Sequence, residues 1–235
     1  MQAEAPLAPL GLGVASLQPM ALTVLTRQPS AASPLLAALR DKSLNTDPDR
    51  FRANLRRLGM MTAYEISKTL AYQAQQVETP LGTADAHTLA AQPVLACLMR
   101  AALPFYDGFL DVFPQAESAF LGTYRAAHRP DHSFEIATDY LASPSLEGRD
   151  LILCDPMLAT GKSLVLNYQA LLEHGTPRSL TVACVVAAEP GIEYVAHSLP
   201  QAKIFAVAVD AALNGHFYIV PGLGDAGDLA FGPKL

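Results

Sequence analysis

The strongest chemical signal in the chain is Leu151-Ile-Leu-Cys-Asp-Pro-Met-Leu-Ala-Thr-Gly-Lys-Ser163. The apolar run predicts a strand that ends at Cys154 and Asp155, and Pro156 lacks the N–H needed to continue a ladder. Ala159-Thr160-Gly161 is a run of small residues. A helix is expected to open near Ser163, carrying Leu164, Leu166, Leu171 and Leu172 and stopping at Gly175. A tight loop feeding a helix start aims several backbone N–H groups at one point, where the helix dipole adds positive potential. That point suits a phosphate, and Thr160 and Ser163 add hydroxyl donors. Asp155 lies at the carboxyl end of the strand, where open α/β sheets place ligands. A carboxylate beside a phosphate repels it unless it serves sugar hydroxyls or a metal ion, so the site calls for a phosphorylated sugar. Gly161-Lys162-Ser163 also matches the end of a P-loop, which would make the chain an NTPase or kinase. That motif needs a glycine where this sequence has Pro156.

A second segment, Tyr218-Ile-Val-Pro-Gly-Leu-Gly-Asp-Ala-Gly-Asp228, packs Gly222, Gly224 and Gly227 around Pro221. Such a loop is defined by its backbone. It can offer N–H and C=O groups edge-on to a planar heterocycle with alternating donors and acceptors. Asp225 and Asp228 add charge for a metal or for hydroxyls, although the spacing is not that of an EF-hand. A plain surface turn is the alternative.

Other polar residues carry less. Arg100 and Arg125 end or follow apolar runs, and a lone arginine is by default a surface residue. Arg52, Arg56 and Arg57 form a basic patch expected to be a solvated face. His128 and His132 stand four apart without a third ligand nearby, so solvated loop histidines are expected. Cys97, Cys154 and Cys184 lie in apolar runs with no CxxC pair, as expected for buried free thiols in a reducing compartment.

The elements that must hold these residues follow from patterning. The chain has 235 residues, 51% hydrophobic and 16% charged, enough to bury a core. A net charge of −6 argues against a nucleic-acid partner. No uncharged apolar stretch reaches the roughly 18 residues that span a bilayer. The opening residues lack a basic n-region and are broken by Pro6, Pro9, Gly11, Gly13 and Pro19, so no signal peptide is expected and the location is expected to be cytoplasmic. Residues 1–20 read as a loose tail and 21–235 as one domain. Pro29 to Pro34 is a turn-rich joint after the short apolar run Ala21–Leu25. Asp47 or Thr46 can cap a helix that admits Pro48 early, and Phe51, Leu55, Leu58, Met61 or Thr62, Tyr64, Ile66, Leu70 and Tyr72 extend it over about 49–76. Apolar runs at Pro93–Met99, Ala119–Tyr124, Leu151–Cys154, Leu180–Ala188 and Ile204–Val209 suit parallel strands covered on both faces. Ser163–His174 and Gly191–Leu199 suit crossover helices between them. The alternation predicts an α/β fold with a mostly parallel sheet. Residues 126–148 read as a long loop, either a mobile flap or a β-excursion.

Taken together, the two glycine-containing segments resemble the uracil phosphoribosyltransferase family, with support from Met99-Arg-Ala-Ala-Leu103 and Gly122-Thr-Tyr-Arg125. The resemblance is strong from about 93 to 235, weaker over 20–92 and absent before that. It implies a type I phosphoribosyltransferase fold: an open, mostly parallel twisted sheet flanked by helices, with a small hood and the uracil loop in about 210–235. It implies pyrimidine salvage, in which uracil and phosphoribosyl pyrophosphate give UMP and pyrophosphate with Mg²⁺, in a homo-oligomer, with GTP as an effector of some relatives. Arg100 and Arg125 would hold the pyrophosphate, since guanidinium forks suit phosphate oxygens. Asp155 would take the ribose hydroxyls, and Ala159, Thr160, Gly161, Lys162 and Ser163 the 5′-phosphate, with Pro156, Met157 and Leu158 completing that segment. Ile219, Gly224, Asp225 and Ala226 would read uracil, largely through backbone groups. Asp225 would also face phosphoribosyl pyrophosphate through magnesium and its water, no residue set holding the ion by itself. Asp225, Arg100 and Arg125 would be the catalytic set.

Three departures from the family pattern involve five positions. Lys162 replaces a small residue, and it either reinforces the 5′-phosphate site or points away. Ala102 replaces a glycine and is expected to crowd the turn near the pyrophosphate. Ala126, Ala127 and His128 replace acidic residues that often follow the second arginine. The non-enzymatic alternative is a nucleotide sensor or regulator that keeps the fold and loses turnover.

Overall fold

The computed structural model describes residues 21–125 and 136–233, with backbone alone for 123–125 and 136–139. The apolar runs become one mostly parallel sheet. Its strands, in chain order, are β1 (Leu22–Val24), β4 (Val94–Met99), β5 (Glu117–Arg125), β6 (Ile136–Ala142), β7 (Asp150–Cys154), the short β8 (Met157–Leu158), β9 (Ser179–Ala188) and β10 (Lys203–Asp210). They lie in the order β1-β10-β9-β7-β4-β5-β6, with β8 also pairing β9. Only β6 runs antiparallel, against β5. Part of the long 126–148 segment is thus a β-excursion. His128, His132 and the replaced acidic positions fall outside the described residues, as does the 1–20 tail.

Alternate residues of each strand face opposite layers. Leu95, Cys97, Ile152, Cys154, Ala183, Val185, Phe205 and Val207 pack against helices α1 (Ala32–Arg40), α2 (Pro48–Ser67) and α3 (Leu103–Val112). Val94, Ala96, Leu98, Leu151, Leu153, Val182, Cys184, Ile204 and Ala206 pack against α4 (Lys162–Leu171) and α5 (Glu189–Ser198). All three cysteines are buried and unpaired. Burial pushes their thiols up, Cys97 to about 12, which leaves them as inert apolar filler.

Asp47 caps α2, accepting from the N–H groups of Asp49 and Arg50, with Pro48 opening the helix. The helix stops at Ser67, not at 76. Tyr72 belongs instead to a hairpin of β2 (Tyr72–Thr79) and β3 (Gly82–Leu89), joined through Pro80-Leu81. Cross-strand pairing takes up the backbone groups that a longer helix would have used. Every residue of β2 is exposed, and Leu81 at the tip is 100% exposed. Pro29–Pro34 is also more than a joint, because α1 begins at Ala32.

The remaining elements are the pair β11 (Ala212–Leu213) and β12 (Ile219–Val220), and the short α6 (Ala226–Phe231). Arginines of α1 and α2 bind this C-terminal stretch. Arg40 forks onto Asp210 at 3.0 and 2.8 Å, and Arg52 Nη1 donates to the Ala230 carbonyl at 2.8 Å. Arg56 forks onto Asp111 of α3. Arg56 and Arg57 of the patch are exposed, as expected of a solvated face, but Arg52 and Arg56 also tie α2 to α6 and α3.

Candidate functional site

The candidate phosphate cradle grows out of the junction between β7 and α4. Asp155 N–H donates to the Ala183 carbonyl at 3.1 Å, and the Pro156 carbonyl accepts from Val185 and Val186 at 3.1 and 3.0 Å. Pro156 interrupts the ladder for only one step, since Met157 and Leu158 resume pairing with Val186 and Ala187. The Asp155 carboxylate accepts from Met157 N–H at 3.1 Å, which fixes its direction. Burial pushes its carboxyl up to about 6, with the Met157 hydrogen bond opposing the shift.

Gly161 turns the chain into α4 with φ +75. A side chain there would be strained by that φ and would also meet the Gly191 carbonyl at 2.9 Å. A Cβ on Gly191 would lie 2.3 Å from the Ala159 carbonyl. Two glycines thus let the cradle lie against the first turn of α5. Lys162, rather than Ser163, is the first residue of α4, and its side chain is exposed. It makes no ion pair among the described residues, and its N–H reaches Thr160 Oγ1 at 3.4 Å. Ser163 is half-buried, and its carbonyl accepts from Asn167 Nδ2 at 2.8 Å.

The arginines follow neighbouring strands. β4 pairs with β7 on one side, Cys97 opposite Cys154, and with β5 on the other, Met99 opposite Gly122. Arg100 follows the end of β4 and Arg125 is the last residue of β5, so their backbones stand at the carboxyl ends of adjacent parallel strands, β4 lying next to the strand that leads into Asp155. Where the Arg125 side chain goes lies outside the described residues. The Ala102 methyl is wholly buried in the core under α3.

The C-terminal loop comes to the same edge by a different route. Asp210, at the end of β10, accepts the Gly222 N–H at 2.9 Å while gripped by Arg40. Buried Asn45 donates to the carbonyls of Leu39 and Leu223 at 3.2 and 3.4 Å. Ile219 is buried, Gly224 has φ +99, and Ala226 opens α6. Asp225 caps that helix, its Oδ1 accepting from Gly227 and Asp228 N–H at 2.9 and 3.0 Å. Arg100 Nη2 meets Asp228 Oδ1 at 3.2 Å.

The structure thus brings Arg100 together with 225–228. It sets the cradle on the adjoining strand ends of the same edge. Sequence reasoning missed Arg40, Asn45, Asp210 and the pairing of Asp228. A charged residue ending the apolar run of β10 was the one available signal. A separate cavity of about 680 Å³ opens between β1 and α2, lined by Val24, Leu25, Arg57, Met60, Met61 and Tyr64 among others. Among the described residues no group of three His, Cys, Asp or Glu is placed to hold a metal ion, and no helix is long and apolar enough to cross a membrane.

A family model described as uracil phosphoribosyltransferase matches residues 26–233. The uracil phosphoribosyltransferase of Porphyromonas gingivalis is 43% identical over 198 residues, covering 84% of this chain and 91% of the relative. That of Methanothermobacter thermautotrophicus is 38% identical over 188 residues, covering 79% and 85%. A solved protein from Aquifex aeolicus has the same fold, with a TM-score of 0.81 at 29% identity, covering 91% of this chain and 99% of that one. A mostly parallel sheet with the Ala159–Ser163 turn and Arg100 at its carboxyl edge, in a chain that these relatives match over most of its length, is of the phosphoribosyltransferase class. Within that class, the chain belongs to the uracil phosphoribosyltransferase family.

Proposed function

We propose that this chain transfers the 5-phosphoribosyl group of phosphoribosyl pyrophosphate to uracil, giving UMP and pyrophosphate. The observation that carries the reading is the family match over residues 26–233, which includes the cradle, Arg100 and the C-terminal loop. The bond from C1′ to the pyrophosphate oxygen breaks, the bond from C1′ to uracil N1 forms, and the N1 proton leaves to solvent. The anomeric carbon passes through an oxocarbenium-like state, so the protein acts by positioning and by balancing charge. The backbone N–H groups of Ala159–Ser163 hold the 5′-phosphate, and Asp155 accepts from the ribose hydroxyls. Arg100 and Arg125 neutralise the departing pyrophosphate. The backbone around Ile219, Gly224 and Ala226 fixes the uracil ring edge-on.

Magnesium fits this site as an ion carried in by the substrate. Asp225 and Asp155 each use one carboxylate oxygen in a backbone bond. Each then has one further oxygen for the ion's water shell, as befits Mg²⁺ bound mainly by phosphates and waters. When bound, the ion supplies charge neutralisation at the pyrophosphate. The same proposal takes the enzyme to be a cytoplasmic homo-oligomer. The buried free thiols support a reducing compartment. The exposed hairpin β2–β3, a two-stranded ribbon of a kind only marginally stable alone, supports a covering partner. GTP as an effector rests on the family resemblance.

The test is UMP formation from uracil and phosphoribosyl pyrophosphate with Mg²⁺, with cytosine, hypoxanthine and orotate as controls, with and without GTP. Turnover of uracil alone is expected. Binding of phosphoribosyl pyrophosphate without turnover of any base would overturn the reading in favour of a sensor.

A further inference from the structure

We propose that Asp228 is a positioning residue for this reaction: its carboxylate holds the Arg100 guanidinium over the site, so that pyrophosphate binding depends on a folded C-terminal loop. The inference rests on the uracil phosphoribosyltransferase reading above. Arg100 emerges just past β4, and its buried Nε has no hydrogen-bond partner. The orientation of the guanidinium is therefore set at its far end. There Nη2 has two acceptors, Asp228 Oδ1 at 3.2 Å and the Gly232 carbonyl at 3.4 Å. Both come from α6 or its end, 128 and 132 residues away in the chain. Charge-assisted pairs at full strength sit near 2.7–2.9 Å. This pair is longer and half-exposed, so it orients Arg100 without sequestering it. Among the described residues Nη1 has no recorded bond, which leaves that edge of the fork for phosphate oxygens.

The other end of Asp228 ties the pair to the base-reading loop. Its N–H is held by Asp225 Oδ1 at 3.0 Å, and Asp225 directly follows Gly224 and precedes Ala226. A continuous path thus runs from the uracil loop through the Asp225 cap and the Asp228 carboxylate to Arg100. The packing agrees: a Cβ placed on Gly227 would lie 3.8 Å from Arg100 Nη2 and 3.9 Å from Ala101 Cβ, so α6 rests on the arginine turn at van der Waals distance. Without Asp228 a long, rotamer-rich side chain must be ordered by the substrate alone, and that ordering is subtracted from binding.

The experiment uses the full chain with Asp228→Ser and Asp228→Asn. Serine suits the start of a helix but is too short to reach Arg100, and asparagine keeps an oxygen acceptor in place. Pyrophosphate affinity is measured by calorimetry with Mg²⁺, and KM for each substrate by UMP formation. Asp228→Ser is expected to weaken pyrophosphate and raise KM for phosphoribosyl pyrophosphate about tenfold, with KM for uracil changed less than twofold. Asp228→Asn is expected to recover most of the loss. In an Arg100→Ala background the serine variant is expected to add less than twofold. Three results would overturn the proposal: unchanged pyrophosphate affinity, both KM values rising together, or an undiminished effect without Arg100. If the wild-type chain makes no UMP yet Asp228→Ser still weakens pyrophosphate, the transferase reading fails and the positioning role stands.

Discussion

The two segments proposed to hold the ligands are built in different ways. The cradle, Asp155 to Ser163, is short-range. Its direction comes from a strand ending, a proline, a small-residue run and a helix start, and it leans on β9 and the first turn of α5. The C-terminal loop spells an equally distinctive motif, yet it is held from far away. Arg40 and Asp210 are 170 residues apart, Asn45 and Leu223 178, and Arg100 and Asp228 128. A phosphate needs N–H groups converging on a point, which one turn can supply. A flat base needs an edge of fixed height and tilt, which a glycine-rich loop attains only when other elements clamp it.

The largest expected effect comes from cutting that clamp. Asp210→Ala leaves Arg40 without its carboxylate and the Gly222 N–H unsatisfied, and is expected to cost about 3 kcal/mol of stability. Urea unfolding measures the loss, and KM for uracil is expected to rise more than KM for phosphoribosyl pyrophosphate. If both rise equally, the loop is not anchored separately from the cradle.

Gly191→Ala is the matching strike at the cradle. Its Cβ would fall 2.3 Å from the Ala159 carbonyl, so loop or helix must move, at about 1–3 kcal/mol. Phosphoribosyl pyrophosphate binding is expected to weaken about 10–100-fold, while uracil recognition is spared. A variant with wild-type affinity would show that the cradle does not depend on α5.

A smaller effect comes from pH. Asp155, its carboxyl pushed up to about 6 by burial, must be ionised to accept fully from ribose hydroxyls. For the free enzyme, kcat/KM for phosphoribosyl pyrophosphate is expected to fall about tenfold from pH 7 to pH 5, and Asp155→Asn removes that limb. The sign for stability is opposite. The raised carboxyl favours the fold below its unfolded value near 4, and that contribution is lost as pH rises through 6. Thermal unfolding of the wild type and Asp155→Asn across this range reads it out.

The smallest effect belongs to Lys162. A cation at the start of α4 opposes the helix dipole by roughly 0.3–1 kcal/mol, and a bound anion reverses the sign. Lys162→Gly is expected to raise KM for phosphoribosyl pyrophosphate about two- to fivefold. Unchanged affinity in titration would mean that the side chain points away from the phosphate.

What the sequence determined by itself follows from this contrast. Apolar runs covered on both faces marked the central strands, because a parallel sheet buried between two helical layers leaves few positions for polar residues. Asp155 to Ser163 announced a strand, a tight turn and a helix start, because residue types adjacent in the chain set that backbone geometry. The end of the long helix was misread, since Leu70 and Tyr72 continue a helical spacing to about 76, and strand pairing through Pro80-Leu81 overrides it from Tyr72 on. Only the tertiary structure decided that Arg52 and Arg56 are stitches, that the Ala102 methyl enters the core, and that Asp228 faces Arg100. The reason is physical. A charged side chain carries no mark of its partner until the fold brings the two within reach, whereas a turn's geometry is written in neighbouring residues.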